Sequence, residues 1–262
     1  MSGRIAVIGL GPGSDAMMTR QAHEEAARAS HLFGYFPYIE RLSPRPDQIV
    51  HGSDNRQELE RARAALDLAV DGDTVAIVSG GDPGVFAMAA AVCEAIENGP
   101  DAYRKVELVV IPGVTAMLAV AAAVGAPLGH DFCAINLSDN LKPFSIIEKR
   151  IVACTQTGMA MALYNPISRS RPWQLDAAFD IARLHLPKDT PVIFGRAAGR
   201  PDQRIETVAL SKANGEKADM ATCVIIGSAM TKVVERHGRE PLVYTPRYWP
   251  EETGLPNVDA AP

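Results

Sequence analysis

The chain has 262 residues, 47% of them hydrophobic and 22% charged, with a formal net charge of −5. Such proportions fit a soluble globular protein that buries a real core, with one large domain or two ordinary ones. No basic tract accompanies the acidic balance, so nucleic acid is not an expected partner. No run approaches the roughly 18 apolar residues of a membrane span, so no membrane is expected either.

In chain order, the apolar run Ile5, Ala6, Val7, Ile8 predicts a buried strand over 4–8 that breaks into Gly9, Gly11 and Gly13 of "GLGPG". A strand this close to the start leaves no room for a signal peptide. A helix rich in Ala and Glu is expected over 14–29, and a second strand at "HLFGYF", 31–36. In "ELERARAALDLAV", 58–70, Leu59, Ala62, Leu66 and Val70 fall on one helical face, and Asp71-Gly72 stops the helix. "TVAIVSGGDPG", 74–84, is a strand entering a glycine turn, with a helix over 85–98 behind it. "VELVVIPGVTA", 106–116, repeats that plan ahead of a helix over 115–124. The alternation predicts a parallel sheet covered by helices.

Past Gly125-Ala126-Pro127, read as a hinge, the apolar runs 132–137, 159–164, 191–195, 204–210 and 222–227 have fewer helices between them, at 143–153 and 172–185. A mixed or antiparallel sheet fits this half. The expected organisation is therefore α/β, with domains over 1–125 and 126–245 and a loosely packed tail over 246–262. Cys93, Cys133, Cys154 and Cys223 form no C-x-x-C pair and have no histidine at metal spacing. Reduced thiols in the cytoplasm, and no metal site, are expected.

The glycine loops narrow the chemistry. Read as a dinucleotide fingerprint, the first loop has Ser14 where the third glycine belongs, and "HLFGYFPY" lacks the acidic residue. No Gly-Lys-Ser/Thr follows, so it is not a P-loop, and Pro12 has no N–H to offer a phosphate. Yet "GLGPG", "SGGDPG" and "PGVTA" each end a strand, and the ends of parallel strands share one edge where ligands bind. Gly80 and Gly81 permit close approach of a ligand, Asp82 offers a carboxylate, and Thr115 offers a hydroxyl at a helix start, where such a residue also serves as a cap.

"VIGLGPG", "VSGGDPGVF", "IPGVTAMLAVAAAVGAPLGHDF", "MALYNP" and "GRPDQR", in this order, resemble the tetrapyrrole (corrin and sirohaem) methylase family over roughly residues 4–228. "GYFPYIERL", "HGSDNR" and "PLGHDFCAINLSDN" are similar to its ring-contracting branch in cobalamin synthesis. The resemblance implies a two-domain fold with S-adenosyl-L-methionine folded in a cleft between the domains, S-adenosyl-L-homocysteine as product, a polycarboxylate precorrin as substrate, and a homodimer. It implies cofactor contacts from Pro12, Gly80, Gly81, Asp82, Val85, Thr115, Ala116, Tyr164, Asn165, Ala198 and Thr222. The related uroporphyrinogen methylase has an aspartate where this chain has Tyr35, and a lysine where it reads "HGSDN", so those acid/base roles do not transfer.

Methyl transfer needs placement more than a base. Ring contraction removes a hydroxyl proton, for which Asp139, His130 and Asp54 are the candidates. Tyr35, His51, Lys142, Arg169, Arg171, Arg196 and Arg200 are candidate substrate contacts, the cations for carboxylates. The alternatives are the cobalt-containing counterpart substrate and a non-catalytic S-adenosylmethionine-binding module.

Overall fold

The structure, a computed structural model, describes residues 3–55 and 57–249. Its elements run β1 (Arg4–Gly9), α1 (Arg20–Arg28), β2 (His31–Tyr35), α2 (Phe36–Ile39), β3 (Ile49–Ser53), α3 (Glu58–Val70), β4 (Thr74–Ser79), α4 (Met88–Asn98), β5 (Glu107–Ile111) and α5 (Ala116–Val124). There follow β6 (Gly125–Ala126), β7 (Phe132–Asn136), α6 (Phe144–Gln156), β8 (Ala160–Tyr164), α7 (Gln174–His185), β9 (Pro191–Arg196), β10 (Arg204–Ala209), β11 (Thr222–Ile226), β12 (Lys232–Arg236) and β13 (Arg239–Tyr244). The chain divides into two units, Met1–Ala116 with Gly199–Pro201, and Met117–Ala198 with Asp202–Pro262.

The first unit is a five-stranded parallel sheet in the order β3-β2-β4-β1-β5. Strands β1 and β4 are central and covered on both faces, which is why their sequences are nearly continuous apolar runs. Ile5, Val7, Val75 and Ile77 pack against Ala62 and Leu66 of α3 and Met88 and Val92 of α4. On the opposite face, Ala6, Ile8, Ala76 and Val78 pack against Ala22 and Ala26 of α1. Helix α1 begins later than expected, because Thr19 caps it by accepting a hydrogen bond from Ala22 N at 3.1 Å and residues 15–17 form a separate 3-10 turn.

The second unit contains a five-stranded sheet, β10-β9-β11-β8-β7, in which only β7 and β8 are parallel. Met161, Leu163, Val192, Phe194, Val224 and Ile226 face Ile147 and Ile151 of α6 and Leu175 and Phe179 of α7. Helix α5 lies on the other side: a Cβ on Gly195 would come within 2.1 Å of Val120 Cγ2. A three-stranded sheet, β12-β13-β6, completes the unit.

The sequence boundary near residue 125 differs from this division, which falls after Ala116. The stretch read as a hinge is pinned: β6 pairs with β13, Ala126 O accepts from Thr245 N at 3.0 Å, and Pro127 O accepts from Thr245 Oγ1 at 2.6 Å. Of the expected tail, Pro246 is buried and the ring of Trp249 lies against Gly158; residues 250–262 lie outside the described residues. Among the described residues no helix is long and apolar enough to cross a membrane, and no cluster of ligating side chains could hold a metal ion.

Candidate functional site

In the first unit, β1 and β4 are neighbours whose connections leave on opposite faces, β1 to α1 and β4 to α4. That is the point in a parallel sheet where loops beyond the strand ends leave room for a ligand. Here three loops are tied together. Gly11 N donates to Gly81 O at 3.1 Å and Gly81 N returns the bond to Gly11 O at 2.9 Å. A Cβ on Gly9 would lie 2.6 Å from Gly81 O, and one on Gly113 only 2.3 Å from it, so the backbones touch. Gly81 has φ +69° with ordinary room at its Cβ position, so conformation rather than crowding requires glycine there. Asp82 braces the loops: Oδ1 accepts from Gly84 N at 2.8 Å and Oδ2 from Gly113 N at 3.0 Å.

The polar groups of "GLGPG" are directed at the protein. Arg41 donates through Nη2 to Leu10 O at 2.6 Å and Gly13 O at 2.9 Å, and through Nη1 to Gly11 O at 3.0 Å. Arg200 donates through Nε to Pro12 O at 3.3 Å. Leu10 N and Ser14 N donate to Ser79 O and Gly199 O. The loop therefore offers no fan of N–H donors to cradle a phosphate, and Pro12 has no N–H to add. Arg41 was not singled out in the sequence. Burial, and then the nearby Arg200 charge, push its pKa down.

Gly80 is explained by Tyr38, whose ring would lie 2.6 Å from a Cβ at that position. Val85 is half-buried, Thr115 is buried, and Ala116 opens α5. Phe86 adopts a left-handed φ of 54°, an unusual conformation for a large residue and one that concentrates at functional loops.

The other candidates of this unit sit towards β2 and β3. Tyr35 ends β2 and meets Tyr38 edge-on at 5.4 Å. Asp54 is exposed just past β3, where its carbonyl accepts from the buried Arg61 at 2.8 Å. His51 lies inside β3, stacked on Phe33 at 4.1 Å, with its Nε2 2.9 Å from His31 Nδ1. Burial, then the neighbouring histidine, lower its pKa and favour the neutral ring.

In the second unit, most candidates gather at one edge of the sheet, beyond the ends of β7, β8 and β9 and before β11. Tyr164 ends β8, and its hydroxyl accepts from Met117 N at 3.0 Å. Asn165 has φ 50° and donates to Asn136 Oδ1 at 3.1 Å. Ala198 is buried beside Ala197, which has φ 50°. Buried Thr222 donates to Asp219 Oδ1 at 2.8 Å. Asp139 accepts from Gln174 Nε2 at 3.1 Å. Lys142 donates to Ser138 O at 3.0 Å, and burial lowers its pKa.

The arginines of this edge divide. Arg169 is exposed. Arg171 is buried and turned inward onto Asn165 O at 2.9 Å. Arg196 is already matched by two carboxylates, Asp219 at 2.7 Å and Asp202 at 2.8 Å. His130 stands apart from Asp139, at the start of β7 rather than its end, a separation of at least roughly 13 Å along the strand. It lines a different cavity, of about 350 Å³, with Thr157, Gly158, Met159 and Trp249.

Fold and loops together define an α/β protein with a parallel and a mixed sheet, and with glycine loops bonded to one another at the strand ends of the parallel sheet. Residues 4–214 match the family model of the tetrapyrrole (corrin/porphyrin) methylases, and the chain belongs to that family. It is similar to the precorrin-3B C(17)-methyltransferase of a Sinorhizobium species, 60% identical over 95% of this chain and 98% of that one. A probable cobalt-factor III C(17)-methyltransferase of Salmonella typhimurium is 39% identical over 93% of this chain and 98% of the relative. Among solved structures, the methyltransferase CobJ superposes with a TM-score of 0.89 at 48% identity, covering 94% of this chain and all of that one. A uroporphyrin-III C-methyl transferase of Thermus thermophilus, complexed with S-adenyl homocysteine, shares the fold at 20% identity, with a TM-score of 0.68 over 90% of this chain and 97% of that one.

Proposed function

We propose that the chain methylates precorrin-3B at C17 with S-adenosyl-L-methionine and contracts the ring to precorrin-4, in aerobic cobalamin synthesis. The observation that carries this reading is the end-to-end likeness, at 60% identity, to a protein of that name. The loops suit the cofactor: it has no phosphate, and "GLGPG" has its carbonyls held by arginines and most of its N–H groups held by carbonyls. Bound, the cofactor supplies a methyl group on a positively charged sulfur.

Pro12, Gly80 and Gly81 would form the floor beneath it, with Asp82 bracing that floor and Val85, Thr115 and Ala116 beside it. Tyr164, Asn165, Ala198 and Thr222 are assigned to the same ligand by the family resemblance. Placement of two reactants is worth up to about 7–11 kcal/mol, and loops without slack serve that end. Asp139 is the preferred acceptor for the hydroxyl proton of ring contraction, because it shares an edge with Asn165 and Thr222, whereas His130 lies at the other end of β7. The chain is further proposed to act as a cytoplasmic homodimer, which light scattering checks.

Anaerobic incubation with precorrin-3B and S-adenosylmethionine, followed by mass and absorbance measurement, tests the reading. One added methyl with a changed chromophore is expected. Turnover only of the cobalt-containing counterpart would replace the substrate, as in the Salmonella relative's name. Binding without turnover of either would leave only a cofactor-binding module.

A further inference from the structure

We propose that Tyr38 and Arg200 form a carboxylate-binding subsite beside the Gly80–Gly81 turn, an assignment that rests on the methyltransferase reading. The Tyr38 hydroxyl is placed at the turn: a Cβ on Gly80 would lie 2.8 Å from its oxygen. Among the described residues no hydrogen-bond partner reaches that hydroxyl. Arg200 holds Pro12 O by Nε alone, at 3.3 Å, so the Nη edge of its planar fork faces no protein acceptor among the described residues.

Two guanidinium groups stand together here without a counter-ion among the described residues. The Arg200 charge acts on both Arg41 and Tyr38, and neither arginine has an ion-pair partner among the described residues. Asp15, whose charge Arg41 feels, faces His23 at 3.4 Å instead. Arg41 cannot turn to a ligand, because three loop carbonyls fix it. An anion is therefore favoured beside it, and Arg200 and Tyr38 supply the donors. Burial keeps the phenol protonated above neutral pH, outweighing the pull of Arg200, Arg41 and Arg61, so it has a proton to donate. One carboxylate oxygen fits the guanidinium and the other the hydroxyl.

The carboxylate has two available sources, the amino-acid end of the cofactor and the periphery of the tetrapyrrole. Calorimetry with S-adenosylhomocysteine, which has the carboxylate, and 5′-methylthioadenosine, which lacks it, separates them. Wild type, Tyr38→Phe, Arg200→Gln and Arg200→Lys are compared; phenylalanine keeps the ring on Gly80, so folding is preserved. Loss of about tenfold or more in S-adenosylhomocysteine affinity, with methylthioadenosine unchanged, assigns the cofactor's carboxylate. Unchanged binding of both nucleosides, with KM for precorrin-3B raised about tenfold at constant kcat, assigns the substrate's. In either case Lys at 200 recovers part of the loss. Equal weakening of both nucleosides, or no change beyond about twofold in any readout, overturns the subsite. A wild-type chain that binds neither nucleoside overturns the methyltransferase reading, and the subsite with it.

Discussion

Asp82 offers the sharpest test of how the loops are held. Its two carboxylate oxygens accept backbone N–H groups from Gly84 at 2.8 Å and Gly113 at 3.0 Å, joining the turn after β4 to the one after β5. A charge-assisted bond is worth about 1.5–3 kcal/mol when shielded, and water at this half-exposed residue reduces each to roughly 0.5–1.5 kcal/mol. Asp82→Ala should therefore cost about 1–3 kcal/mol. Asp82→Asn keeps one acceptor but points an amide N–H at a backbone N–H, so about 1–2 kcal/mol is expected. At roughly 2–4 °C per kcal/mol, the asparagine variant should melt about 2–8 °C lower by calorimetry. S-adenosylhomocysteine affinity should fall about fivefold with it, because the Gly81 turn loosens. Unchanged melting and unchanged affinity in both variants would refute the bracing argument, and would leave the carboxylate no role in the site.

Three further outcomes follow from the packing. Gly81→Ala should cost about 1–2 kcal/mol for its left-handed φ alone, whereas Gly113→Ala, at an ordinary φ, should cost more, because its Cβ would meet Gly81 O at 2.3 Å; urea melts rank the two. Gly195→Ala should destabilise by about 1–3 kcal/mol through Val120, and adding Val120→Ala should recover part of that; no recovery would sink the packing of α5 on β9. Glu25 is held below the ordinary glutamate value of 4.5, chiefly by its hydrogen bond to Arg4, against the upward push of burial. Its folded pKa is depressed, so its contribution is present above about pH 4.5 and is lost as pH falls through the folded value. Glu25→Gln should thus cost about 1–3 kcal/mol at pH 7, and the gap in melting temperature should narrow as the pH falls below 4.5; a gap that stays constant or widens throughout acidification contradicts the assignment.

The sequence revealed elements wherever burial imposes a period or a run, and missed them where it does not. Central strands β1, β4 and β11 read directly because both their faces are covered. Edge strand β3 was missed, since Ile49 and Val50 are exposed and His51-Gly52 carries no alternation. The β12–β13 hairpin was missed as well: it is mostly exposed, and it turns on Gly238, with φ +67°, inside a polar stretch that lacks an Asn-Gly signal. Helix α4 starts three residues later than expected because Phe86 adopts a left-handed conformation, which periodicity cannot disclose. For the site, glycine spacing located the loops. What holds them is a matter of which distant group reaches them: Arg41 and Tyr38 lie about 30 and 40 residues from what they touch. Nearness in sequence also misled. His130 and Asp139 are nine positions apart, yet a strand runs between them and sends them to opposite ends of the sheet.

These contacts also bear on why an arginine pair stands over a loop with few free N–H donors. The carbonyls of Leu10, Gly11 and Gly13 accept from Arg41 and that of Pro12 from Arg200, while Gly11 O accepts from Gly81 N as well. These are charge-assisted bonds, and neither arginine has an ion-pair partner among the described residues to compete for it. The turn is thereby held in place by the protein itself, and a ligand bound there as proposed would incur little ordering entropy. Methyl transfer between two large partners depends on placement within fractions of an ångström, so a surface fixed in advance is of more use than adaptable donors. It follows that Arg41→Gln, which removes the charge but retains one amide NH2 group for the carbonyls, should lower kcat more than S-adenosylhomocysteine affinity. Equal losses in both would mean that the clamp only assembles the pocket and does not set the geometry of the reaction.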